Sequence, residues 1–113
     1  MVDGVKPVEW RGDSSDVIRS LSEDLRDDLG YMLHQVQTDR TPSDFRPMPT
    51  VGAGVYELRA SDSDGIARLM YIAKFAEAVY VLHVFQKKTQ KTPQKDIDKA
   101  AKRLRDLMRE RNG

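Results

Sequence analysis

VYVLHVFQKKTQKTPQK, residues 79–95, changes character halfway along. Its first seven residues set valines, tyrosine, leucine and phenylalanine around His83, a composition that favours a buried strand over a helix. A helix start follows, with Thr92 as its cap and Pro93 at the first helical position. Beyond it Ile97, Ala100, Ala101, Leu104, Leu107 and Met108 form an apolar stripe that runs to the terminal RERNG. Lys87, Lys88, Lys91 and Lys95 crowd the hand-over from strand to helix. A surface loop needs far less charge than this to stay soluble.

Upstream, VYELRA (55–60) and IARLMYIAK (66–74) have the same strand-like enrichment, and the connections SDSDG (61–65) and FAEA (75–78) are short enough for hairpins. Together with residues 79–88 they predict an antiparallel meander. From Asp16 to Val36, apolar residues recur at three- and four-residue steps through Val17, Ile18, Leu21, Leu25, Leu29 and Leu33. Ser22 followed by Glu23 and Asp24 reads as an N-cap with acid in the first turn, which places a break near Leu21. The segment VKPVEW (5–10) contains Pro7, so as a strand it belongs at a sheet edge. Between helix and meander, TDRTPSDFRPMPTVGA (38–53) has no apolar period and reads as a long loop, pinned by Phe45 and Met48 or serving a partner. The order predicts an α+β domain whose helices cover one face of the sheet: a small antiparallel sheet with an added edge strand, an N-terminal helix or helix pair packed on one face, and a C-terminal helix.

A chain of 113 residues suffices for one compact core, and residues 1–113 are taken as a single domain. Its apolar segments are too short and too interrupted to span a bilayer, so no membrane association is expected. There is no cysteine and no export-type N-terminus, and a cytoplasmic setting is expected. The net charge of +1 hides a division: residues 1–53 carry 6 basic against 10 acidic residues, and residues 54–113 carry 13 against 8. Residues 85–105 alone hold 8 basic residues against Asp96 and Asp98. Such a density attracts phosphate or an acidic protein surface, although a solvated helix face reads the same way.

Two arginines fall within the strands. Alternation puts Arg59 on a face with Val55 and Glu57, and Arg68 on a face with Ile66, Met70 and Ile72. An arginine in so apolar a setting as ARLMY needs an anion, supplied either by a ligand or by an internal acid such as Glu57. Lys91 and Lys95 stand one turn apart at a helix N-terminus, where backbone N–H groups and the helix dipole favour phosphate and disfavour clustered cations. His83 is read as a hydrogen-bonded core residue ahead of a catalytic base. Tyr71 is the tyrosine kept as a base-stacking candidate, for its closeness to Arg68 in the sequence. No zinc-type ligand set, glycine-rich phosphate loop or serine-histidine-acid arrangement is recognisable.

ELR (57–59), ARLMYIAK (67–74) and above all VYVLHVFQKKTQKTPQKDIDKA (79–100) resemble the phage-derived branch of the RelE/HigB toxin superfamily, and the resemblance extends through KPVEW, LGYMLHQVQ and SDFRPMPTVGAGVYELR. It implies a RelE-like fold and the toxin of a type II toxin-antitoxin system. Such a toxin is an mRNA endoribonuclease, often acting on the ribosome, needing neither metal nor cofactor and silenced by a helix-turn-helix antitoxin. By position it implies Arg68 as a phosphate clamp, Lys87 and Lys88 as transition-state and proton-transfer residues, and Arg59 and Lys91 as backbone binders. Tyr71 and Lys95 complete the candidate substrate-binding set. Two other classes stay open: a non-catalytic module that binds nucleic acid or an antitoxin, which the same lysines would serve equally, and a phage structural or assembly protein, suggested only by the phage label of the family.

Overall fold

A computed structural model of the chain describes residues 4–87 and 91–113. Its elements run β1 (Val8–Trp10), α1 (Ser14–Ser20), α2 (Glu23–Gln37), β2 (Phe45–Pro47), β3 (Val55–Asp62), β4 (Gly65–Ile72), β5 (Val79–Lys87) and α3 (Gln94–Asn112). The five strands form one mixed sheet in the order β1-β5-β4-β3-β2. Only β1 runs parallel to its neighbour, pairing Val8 with Val79 and Trp10 with Val81 at the sheet edge that Pro7 foretold. The two helices break where expected: Ser22 caps α2, its Oγ accepting the Leu25 N–H at 3.2 Å.

Three features differ from the expectation. Residues 38–53 are not wholly irregular, because Phe45–Pro47 adds a short antiparallel strand against Tyr56, Glu57 and Leu58. It ends on Pro47, which an outer strand accepts since its far side needs no ladder hydrogen bonds. Met48 does pin this segment to the core, whereas Phe45 stays 41% exposed. The helices also cover both faces of the sheet. Ile18, Leu25, Leu29 and Leu33 pack with Leu58, Leu69 and Val81 on one face. Ala100 and Leu107 of α3 pack with Val55, Met70, Ile72 and Leu82 on the other. Strands apolar on both faces demand that second cover.

Thr92 is the third difference. It does not cap α3, whose N-cap is Pro93 with no side-chain hydrogen bond. The N–H groups of Asp96 and Ile97 bond to the Pro93 carbonyl, and the Thr92 hydroxyl is drawn inward to a buried ion pair. A β-bulge in β5 then sets which side chains reach α3. Met70 lies opposite His83 but Tyr71 opposite Val81, so Leu82 is the extra residue, and Leu82 and His83 both face α3. No helix among the described residues is long and apolar enough to cross a membrane.

Candidate functional site

On the α3 face, β2, β3 and β4 bring charged residues into register. Arg46 pairs with Glu57, and Arg59 lies directly opposite Arg68. Like charges opposed across two strands repel, so this arrangement requires an anion. Glu57 provides it. Fully buried, its Oε1 accepts from Arg68 Nη1 at 3.0 Å and lies 3.6 Å from Arg46 Nε, while its Oε2 accepts from Thr92 Oγ1 at 3.2 Å. Thr92 in turn accepts from Arg68 Nη1 at 3.3 Å. The start of α3 is thus stitched to the middle of the sheet by one threonine, and Lys91 is carried with it.

Around this buried centre Arg59 and Lys87 are partly exposed cations, and Arg46, Lys91 and Lys95 are exposed. Arg59 Nε lies 3.8 Å from Asp44. Lys87 ends β5 opposite Ile66, on the face that Arg68 and Phe85 share. Lys95 lies in the first turn of α3. Lys88 lies outside the described residues. The structure therefore gathers Arg59, Arg68, Lys87, Lys91 and Lys95 toward one end of one face, but with Arg68 beneath the surface at 0% exposure. Its charge is held by Glu57, the internal acid that the sequence left as one of two choices.

Tyr71 is placed elsewhere. It is 4% exposed and lies on the opposite face, among the α1 and α2 contacts, because strand alternation sends residues 68 and 71 to different sides. Burial raises its phenol pKa to about 12. It stacks on Tyr56 at 6.0 Å between centroids, and both line a cleft of about 630 Å³ on the side of the sheet opposite α3.

His83 is a core residue, as its apolar setting implied. Its Nε2 lies 2.7 Å from Asp96 Oδ1, and its Nδ1 accepts from Arg103 Nη1 at 3.2 Å. Because Arg103 can only donate, the ring proton sits on Nε2 and points at Asp96. Burial lowers the His83 pKa, with the Asp96 hydrogen bond opposing that shift and the Arg103 charge adding to it. The neutral ring is the consistent form. Arg103 also reaches Asp13 at 2.9 Å, so α3, β5 and the N-terminus of α1 are tied together.

Two residues of this face were not singled out from the sequence. Arg46 sits in a proline-rich stretch read as loop, and only the pairing of FRP with YEL reveals it. Asp96 was counted as an acid diluting the lysine run, yet it is buried and serves His83. A carboxylate three residues beyond Pro93, on the inward side of the α3 stripe, was the available signal.

One family model matches the chain: Phage derived protein Gp49-like (DUF891), over residues 16–105. No curated protein matches it.

Proposed function

The chain belongs to the Gp49-like family of phage-derived proteins, a RelE-like toxin family, and from that premise we propose that it is the HigB-like toxin of a type II toxin-antitoxin pair, an endoribonuclease that cuts messenger RNA on the ribosome. The observation that carries this reading is the set of cations on the α3 face, where Arg59, Lys87, Lys91 and Lys95 border a centre in which the buried acid Glu57 is already committed to Arg68.

The reaction class is internal transesterification. The ribose 2′-hydroxyl attacks the adjacent phosphorus, the 5′-oxygen leaves, and the pentavalent phosphorane carries extra negative charge that fixed cations stabilise more than they stabilise the ground state. Lys87 and Lys88 take that role and the proton transfers. Arg59, Lys91 and Lys95 hold the RNA backbone through charge. Arg68, beneath them, acts by keeping Glu57 neutralised and Thr92 in place, which sets the position of Lys91. A helix-turn-helix antitoxin is the partner in this reading.

Replacing Lys87 and Lys88 together with glutamine is expected to abolish growth inhibition on induction in bacteria, with the circular-dichroism melt unchanged. Primer extension on cellular messenger RNA tests the chemistry directly. Induction of the unaltered protein should create discrete new 5′ ends. A map without them turns the reading into the non-catalytic RNA- or antitoxin-binding module.

A further inference from the structure

On the other face of the sheet, the cleft of about 630 Å³ is walled by aromatic rings and rimmed by cations. Phe45, Tyr56 and Tyr71 form a continuous ladder, with centroid spacings of 5.7 and 6.0 Å. The ladder starts at the exposed Phe45 on the edge strand and ends at Tyr71, which is 4% exposed yet lines the cleft. Tyr71 brings one polar atom, its hydroxyl, to an otherwise apolar end of the ladder.

The rim holds Lys6, Arg40 and Lys74 against Asp39. Lys6 is fixed by neutral groups, donating to the carbonyls of Ala73 at 2.5 Å and Phe75 at 2.8 Å. Arg40 donates to the Thr38 hydroxyl at 2.9 Å, and Lys74 lies 5.6 Å from the Phe75 ring centroid. None of the three forms an ion pair with a carboxylate among the described residues. An aromatic floor with cations on its rim suits a flat aromatic ligand that carries negative charge, and the volume lies in the range of small-ligand sites.

We propose that this cleft binds a nucleotide, its base stacked on Phe45 and Tyr56 with an edge atom bonded to the Tyr71 hydroxyl, and its phosphate held by Arg40 and Lys74. The nucleotide is either free or one unit of an RNA strand. The site lies across the sheet from the lysine cluster, so it goes beyond the nuclease reading and stands or falls apart from it.

The test is a nuclear magnetic resonance titration of the full chain with AMP, GMP, CMP and UMP, with adenosine as the phosphate-free probe and a single-stranded hexanucleotide as the polymer. Resonances of Phe45, Tyr56, Tyr71 and Lys74 are expected to shift. Phe45→Ala is expected to weaken binding about tenfold, in line with the loss of one base-aromatic stack. Lys74→Gln should weaken AMP and leave adenosine unaffected. Shifts with mononucleotides identify a free nucleotide as the ligand, and shifts with the hexanucleotide alone identify a strand. If no probe moves these resonances at millimolar concentration, or if shifts appear only around Lys87, Lys91 and Lys95, the cleft is not a nucleotide site. Thermal melts of both variants certify the fold, and because Lys74 is exposed its substitution remains informative if Phe45→Ala fails to fold.

Discussion

Glu57 and Arg68 bury opposite charges in the middle of the sheet, 3.0 Å apart, with Thr92 bridging them. Such a pair adds little net stability compared with two well-packed apolar residues, but removing one partner strands a charge in a medium that cannot solvate it. Glu57→Ala is therefore expected to cost about 3–5 kcal/mol in urea denaturation. The double change Glu57→Leu with Arg68→Met should recover most of that loss, and a double variant as unstable as the single one would refute a role limited to charge compensation. His83 makes the second residue-level prediction. Its folded-state pKa lies below the ordinary 6.5 because burial disfavours the charged ring. As pH falls below 6.5 the unfolded chain takes up a proton that the native state refuses, so this contribution is present above 6.5 and is lost toward the lower native value. Urea melts between pH 7 and 5 should show stability falling, with a flatter profile in His83→Gln. Equal slopes in the two proteins would place the titration elsewhere.

At the scale of elements, short polar contacts decide where the helices begin. Ser22, one residue past the Leu21 that closes α1, starts the next helix: its hydroxyl accepts the Leu25 N–H and donates to Asp62 Oδ2 at 2.7 Å, joining α2 to the end of β3. Ser22→Ala should cost about 1 kcal/mol for the lost cap, read as a lower urea midpoint with an unchanged slope. A changed slope would mean that the end of β3 unfolds with the cap. The start of α3 uses another device. Pro93 has no capping side chain, and the helix is held instead by Thr92 on Glu57 and by Asp96 on His83. The bulge at Leu82 makes the second contact possible, since an uninterrupted β5 would turn His83 toward α2 with Val81. Gly12 serves the same junction from the other side. It has φ +58°, and a Cβ there would lie 2.4 Å from the Arg103 guanidinium that holds His83.

Over the whole molecule the sheet separates two electrostatic characters. Glu23, Asp24, Asp27 and Asp28 lie exposed on α2, on one side, and the lysines and arginines of β5 and α3 lie on the other. A polyanion approaching this protein is steered to the α3 face. If Arg59, Lys87, Lys91 and Lys95 each meet a phosphate of single-stranded RNA, the logarithm of affinity should fall with the logarithm of salt at a slope of about −3. A filter-binding series from 50 to 300 mM salt reads it, and a flat response would mean that RNA is held by something other than these charges. Much of this was legible beforehand. Short-range periodicity and turn chemistry determined the helix break at Ser22, the meander, the α+β class and the cationic hand-over at residues 87–95, because each depends on neighbours within a few positions. The tertiary structure alone decided that α3 covers the second face, that FRP is a strand, that Thr92 turns inward, and that Arg68 meets Glu57. Each of these turns on which distant residue lies across the sheet: a charge in a strand is stabilised by a partner 11 positions away, and one bulged residue reverses the face of all that follow.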